Sequence, residues 1–328
     1  MLVLTSFNNE QTEDAELLGF LRNKSKTIRN GLVGIQVNAS GIAVSHVHRE
    51  GNANPVLKAC QFLPCSDPTQ RNAVLTKAVS GLGLQNLPVN YVLTPPQYSI
   101  LLVEQPKVPA DEMKQALRWR IKDLVSFDVD TAAIDVVHLP DDAFRGRTMM
   151  VYAVAAARSV MDEVEDLFSG TGLHLQSIDV AELAMCNLLS GWEKGGHGIA
   201  LMHLAKEQGV LNLIKNNTLY LTRNIKADVF RSIDNLSESR EFNHLLLETQ
   251  RSLDYYESQL GQPPAAHLLL TPLVENSREL QQALNSNLGL QVQQVFLSEV
   301  VDGAENLSAQ QQLDCLLSIA GALRPASI

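Results

Sequence analysis

The chain has no basic block longer than a few residues, and its net charge is −10. A nucleic-acid backbone therefore has little to attract it, and a nucleic-acid partner is disfavoured. Long apolar runs are missing too. None reaches the roughly 18 residues that a membrane-crossing helix needs, and Met149–Ala157, short and alanine-rich, reads as a buried strand. The opening MLVLTSFNNEQTEDAE lacks a basic start and turns acidic early, which argues against a signal peptide. Cysteine is scarce: Cys60 and Cys65 lie close together with no second pair to complete a zinc site, and Cys186 and Cys315 sit in apolar helical stretches. All four read as reduced thiols in a cytoplasmic protein. No G-x-S-x-G, H-E-x-x-H, C-x-x-C or Walker loop occurs.

What remains is ordinary for a globular protein with 45% hydrophobic and 19% charged residues, and 328 residues suffice for two domains. The informative feature is a repeat. LVGIQVNASGIAVSHV at Leu32–Val47 and IALMHLAKEQGVLNLI at Ile199–Ile214 both read as strand, loop, strand. Actin-like ATPases clamp a nucleotide with one such unit per half, using loop amides for phosphate and an aspartate at each strand end for Mg²⁺ and water. Here the aspartate positions hold Gln36 and His203, and the loop glycine positions hold Asn38 and Ala205.

Around these units strands and helices alternate, as α/β architecture requires. Residues 1–30 read as a polar tail, with Leu17, Leu18, Phe20 and Leu21 ahead of Arg22, Lys24, Lys26 and Arg29 as a possible lipid-touching helix. Pro109, followed by Asp111 and Glu112, starts a helix expected to run to about Val125 with Met113, Ala116, Leu117, Ile121 and Leu124 at helical spacing. Arg118, Trp119 and Arg120 interrupt that helix. Trp119 reads either as half-buried packing or, with its two arginines, as a partner-binding surface. Gly191–Gly198 is the clearest domain boundary.

Other polar groups have blander readings. His46 and His48 share a strand face without further ligands at metal-site spacing. His203 could replace aspartate as a base, but no nucleophile motif accompanies it. Asp141–Asp142 and Glu163–Glu165–Asp166 read as solvated charge.

ALRWRIKDLVSFDVD at residues 116–130 resembles a segment of the PilM-like type IV pilus assembly proteins, through Ala116, Arg118, Trp119 and Phe127. VGIQVNASGIAV, VAAARSVMDEVEDLFSGTGLHLQSIDVAELA and ETQRSLDYYESQL follow in that family's order, so the resemblance spans roughly residues 31–323. Within the family the chain looks most like the MshI branch of the mannose-sensitive haemagglutinin pilus. The resemblance implies an α/β, actin/FtsA-like (ribonuclease H-like) two-domain fold with an inserted α+β subdomain. On that frame 1–30 is the tail, 31–94 and 173–196 the first subdomain, 95–172 the insert, 197–306 the second domain, and 307–328 a helix returning to the first.

The resemblance also implies a cytoplasmic protein peripheral to the inner membrane, and the chain's departures from the family's ATP-binding members lead to the expectation of no cofactor. Its groove beside the insert would bind the N-terminal tail of a PilN-like, here MshJ-type, membrane protein, and the sequence itself offers Arg118, Trp119, Arg120 and Phe127 as the residues to make that contact. The pilus assembly ATPase would be a second contact. The chain departs from the ATP-binding members at three places. Their D-x-G-x-x-S-like first loop is replaced by Gln36, Asn38 and Ser40–Gly41, and their second D-x-G by His203, Leu204 and Ala205, followed by Lys206–Glu207. The Gly-Gly that ends their adenosine strand is replaced by Thr271 and then Pro272–Leu273. Glycine permits close backbone approach and proline lacks an N–H, so these losses argue for a scaffold and not an enzyme. The rival readings are an ATPase or sugar-kinase relative with atypical loops, and a filament protein of the FtsA or MreB kind.

Overall fold

The computed structural model describes residues 31–325 except 52, 144–147, 190–191, 193–195, 206–208, 227–238 and 274–276. The expected N-terminal amphipathic segment and Lys206–Glu207 lie outside the described residues. The first unit begins with the hairpin β1 (Leu32–Val37) and β2 (Gly41–His48), followed by β3 (Val56–Pro64), α1 (Arg71–Leu82) and β4 (Pro88–Leu93). After an insertion it resumes with α3 (Arg158–Phe168), β8 (His174–Val180) and α4 (Ala181–Cys186). The second unit contains β9 (Ile199–Leu204), β10 (Gly209–Lys215), β11 (Thr218–Ile225), α5 (Arg240–Ser258), β12 (His267–Leu270), α6 (Ser277–Leu288) and β13 (Gln291–Gln294).

The two sheets have one topology. The first is ordered β3-β2-β1-β4-β8 and the second β11-β10-β9-β12-β13. In each, three antiparallel strands are continued by two parallel ones. The repeated hairpins are therefore equivalent, and the fold is the duplicated, ribonuclease H-like arrangement of actin-like proteins. The central strands β1 and β9 are buried along almost their whole length, because layers cover both faces and no alternation with polar residues is needed.

The helix α7 (Ala309–Ala322) returns from the second unit and crosses the first sheet. Its start is fixed by reciprocal bonds between Ser308 and Gln311. Its close approach depends on Gly34 of β1, where an added Cβ would stand 1.9 Å from the Ser318 carbonyl oxygen. Buried polar groups register the crossing: Asn90 Nδ2 donates to Gly321 O at 3.1 Å, and the hydroxyls of Ser45 and Ser318 lie 2.7 Å apart.

The insertion is a three-stranded antiparallel sheet, β5 (Tyr98–Glu104), β7 (Met150–Ala156) and β6 (Ala133–His138), in the order β5-β7-β6. Helix α2 (Met113–Ile121) covers one face, packing Met113, Leu117 and Ile121 against Val103, Val151, Ala153 and Ala155. The expected extension of α2 to Val125 does not form. Beyond Ile121 the chain turns, with Leu124 N donating to Ile121 O at 2.9 Å, and the Leu124 side chain is exposed.

Helix α3, read from sequence as the end of the inserted module, packs instead against α1 of the first unit. Phe168 meets Tyr91 edge-on at 5.9 Å. Asn72 Nδ2 donates to the carbonyls of Asp166, Leu167 and Ser169, which satisfies the end of α3. Asp142, read as solvated charge, fastens the module to the second unit. It accepts Tyr220 Oη at 2.7 Å and Lys215 Nζ at 3.2 Å, while its carbonyl accepts Gln262 Nε2 at 3.0 Å.

Candidate functional site

Two regions compete for function: the ends of the hairpin strands, where an actin-like fold would hold phosphate, and the outer face of the inserted module.

At the first hairpin Gln36 is buried at the end of β1, paired with Ala43 and Val92. The turn after it closes on itself. The Asn38 side-chain oxygen accepts Ser40 N at 2.9 Å, Ser40 Oγ at 2.8 Å and Gly41 N at 3.0 Å. This is an Asx-type turn, and it consumes the amides that a phosphate loop leaves pointing at its ligand. Arg71 Nη2, from the start of α1, donates to the Asn38 carbonyl at 3.0 Å and holds the turn from behind.

At the second hairpin His203 occupies the position next to the end of β9, with Nδ1 2.9 Å from Thr271 Oγ1. Part of its surface reaches solvent, yet burial pushes its pKa down to about 4. At neutral pH the ring is thus uncharged and cannot offer a cation to phosphate. Ala205 is exposed, and buried Pro272 follows Thr271 with no N–H to donate. The sequence-derived residues thus stand at strand ends, Gln36 and Asn38 at that of β1, His203 and Ala205 at that of β9, and Pro272 after β12.

Two carboxyl groups nearby were not singled out from sequence. Asp179 of β8 pairs in register with Val92, itself paired with Gln36, and lies 2.9 Å from Arg324 Nη1. Burial raises its pKa against the pull of that guanidinium. Glu182, in the first turn of α4, is wholly buried where the first unit, the insertion and the second unit meet. Tyr98 Oη donates to its Oε2, Asn212 Nδ2 donates to its carbonyl at 3.0 Å, and Oε1 has no hydrogen-bond partner among the described residues. Burial raises the pKa of Glu182 as well. The signal in the sequence was Ser177–Glu182, SIDVAE, with two acids at a strand-to-helix junction.

On the module the four candidate residues divide. Arg118 donates through Nη1 to Val129 O and through Nη2 to Ala132 O at 3.2 Å, so its guanidinium serves the chain's own turn. Phe127 is half-buried against the module core. Trp119, for which half-buried packing was one expectation, is 67% exposed, with Lys122 Nζ 5.5 Å from its ring centre. Arg120 is also exposed and lies 3.7 Å from Glu104. Trp119 and Arg120 thus form the outward patch, and Arg118 and Phe127 support it.

His46 and His48 share a face of β2, and His48 Nε2 lies 2.9 Å from Glu50 Oε1. Among the described residues no cluster of three or more His, Cys, Asp or Glu side chains is arranged to hold a metal ion. None of the described helices is long and apolar enough to cross a membrane.

No family model and no curated protein matches the chain. Among solved structures, it is similar to a chain of a PilM–PilN type IV pilus biogenesis complex, with a TM-score of 0.66 and 20% identity, over 90% of this chain and 100% of that one. Weaker likenesses are to a Bacteroides thetaiotaomicron protein of actin-like ATPase fold and unknown function and to the cytoplasmic domain of EpsL from the Vibrio cholerae type II secretion system. The first has a TM-score of 0.49 and 11% identity, over 88% and 96% of the two chains. The second has 0.47 and 13%, over 90% and 99%.

Proposed function

We propose that this protein is a non-catalytic, cytoplasmic scaffold of a type IV pilus assembly platform of the mannose-sensitive haemagglutinin type, peripheral to the inner membrane. It recruits the cytoplasmic tail of a PilN-like, MshJ-type membrane protein, with the assembly ATPase as a second contact. The observation that carries the non-catalytic part is the closed turn at Asn38. The amides of Ser40 and Gly41 are bonded to the Asn38 side chain and are not left to cradle phosphate. Among the described residues, none at the end of β1 or of β9 is a carboxylate that could ligate Mg²⁺ or orient water.

Recruitment is supported by Trp119 and Arg120. A large exposed aromatic beside a guanidinium is the composition typical of interaction hot spots, and neither side chain is needed by the module core. The fold likeness to a chain of the PilM–PilN complex supports a PilN-like partner.

A second reading, residual nucleotide or small-ligand binding, is favoured by one observation: the buried Glu182 Oε1, at the junction of the units, has no hydrogen-bond partner among the described residues. Calorimetry with ATP–Mg²⁺, run beside titration of a synthetic N-terminal peptide of the membrane partner, decides between them. Peptide heat without nucleotide heat is expected. Nucleotide binding abolished by Glu182→Gln would establish the second reading.

A further inference from the structure

Alternation along β5 turns Leu101 and Val103 towards α2, and Ile100 and Leu102 the other way. Leu102 pairs in register with Tyr152 of β7. This second face of the inserted sheet meets β11 and α5 of the second unit around a cavity of about 370 Å³. Ile100, Leu102, Leu221 and the ring of Tyr255 supply its apolar wall. Its polar groups are donors left without acceptors. Tyr152 is buried and its Oη accepts Thr222 N at 3.0 Å, while the hydroxyl proton has no acceptor among the described residues. Thr222 Oγ1 and Arg223 Nε are buried, and neither has a hydrogen-bond partner among the described residues. The Arg223 guanidinium carbon lies 5.7 Å from the centre of the Tyr255 ring. Glu248, the one acid among the described residues of the lining, is already held by Arg251 Nη1 at 2.7 Å. The charge of Arg223 is thus left for a group from outside.

We propose that this cavity is a binding site for a carboxylate carried on a short apolar or aromatic stem. A guanidinium forks onto the two oxygens of a carboxylate, and the hydroxyls of Thr222 and Tyr152 supply further donors. The stem lies against Ile100, Leu102 and Leu221. Phosphate suits the cavity less, because a doubly charged group would give up its water to a largely apolar wall with one cation to replace it. The carboxylate belongs either to a free acid or to an acidic side chain of a peptide, and the recognition is the same for both. Trp119 stands on α2, across the inserted sheet from this cavity, so the site does not depend on the scaffold reading.

The test titrates methyl-labelled full-length protein with isocaproate and hydrocinnamate, each beside its primary amide, and follows the methyl NMR signals. The acids should shift the signals of Ile100, Leu102, Leu221 and Thr222, and bind roughly tenfold more tightly than the amides. Arg223→Gln should remove that preference, whereas Arg223→Lys should keep part of it. The blocked tripeptides Leu-Glu-Leu and Leu-Gln-Leu separate the two sources. Displacement of isocaproate by the first alone assigns the site to an acidic side chain, and displacement by neither assigns it to a free acid. The proposal is overturned if acids and amides bind alike, if both tripeptides displace isocaproate, or if phosphate competes as strongly as the acids. It is equally overturned if neither acid shifts these methyl signals at about 10 mM, or if the preference for acids persists in Arg223→Gln. The wild-type titrations decide it even if a variant fails to fold.

Discussion

The side-chain oxygen of Asn38 accepts the backbone N–H of Gly41 at 3.0 Å, across the turn that joins β1 to β2. With Ser40 N and Oγ on the same oxygen, one carboxamide organises the whole turn. Asn38→Ala should lower unfolding stability by about 1–2 kcal/mol, because three bonds are lost at a partly solvated site. Urea denaturation measures it. A stability equal to wild type would mean that the turn forms without the carboxamide, and the argument for its being closed to phosphate would weaken.

Arg118 and Trp119 are neighbours with opposite expected outcomes. Arg118→Ala removes the guanidinium that holds the Val129 and Ala132 carbonyls, so the melting temperature should fall, with a loss of about 1–3 kcal/mol. Trp119→Ala should leave stability within about 0.5 kcal/mol of wild type. It should weaken binding of the partner peptide by about 1–3 kcal/mol, more when combined with Arg120→Ala. Melting curves and peptide titrations on the same preparations separate the two roles. Unchanged peptide affinity in the Trp119 variant would move the docking surface elsewhere.

Gly34→Ala should be among the most damaging single changes. The added methyl group would stand 1.9 Å from Ser318 O and 2.6 Å from Ala322 N, and neither backbone atom can rotate away. Overpacking of this kind costs roughly 3 kcal/mol or more. Differential scanning calorimetry should register the loss, and an unaltered melting temperature would show that α7 does not press on β1 in solution.

His203 predicts a pH dependence. An unfolded imidazole takes up its proton near 6.5, whereas burial delays protonation in the folded chain to about 4. Between those values the unfolded state binds more protons, so stability falls as pH is lowered from 6.5 towards 4. The ceiling is about 3 kcal/mol, reduced by the solvent that reaches the ring. His203→Gln should flatten that part of the stability–pH curve. A variant with the wild-type slope would assign the dependence to other groups.

Asp142 should couple the inserted module to the second unit. Asp142→Ala removes the acceptor of Tyr220 and Lys215 and should cost about 1–3 kcal/mol. Faster amide hydrogen exchange in β6 and β7 would mark the module as the part released, and unchanged exchange there would place its anchor elsewhere.

The order of strands and helices was legible in the sequence, because apolar periodicity and turn residues are local. The hairpins at Leu32–Val47 and Ile199–Ile214 were recognisable as one repeated unit for the same reason. The sequence also revealed the missing aspartates and glycines at Gln36, Asn38, His203 and Ala205, since absent side chains need no coordinates. Tertiary structure decided what the remaining groups do. Asp142 reads as solvated charge until Tyr220 and Lys215 arrive from a strand pair more than 70 residues later. Trp119 is exposed and Arg118 inward because the turn after α2 offers carbonyls to one and nothing to the other. Helix α3 belongs to the first unit because its apolar side meets α1 and Tyr91, partners that its own periodicity cannot name. Glu182 acquires its surroundings only from Tyr98 of the insertion and Asn212 of the second unit, both distant in the chain. Local pattern specifies the elements, whereas burial, pairing and pKa depend on neighbours that are distant in the chain.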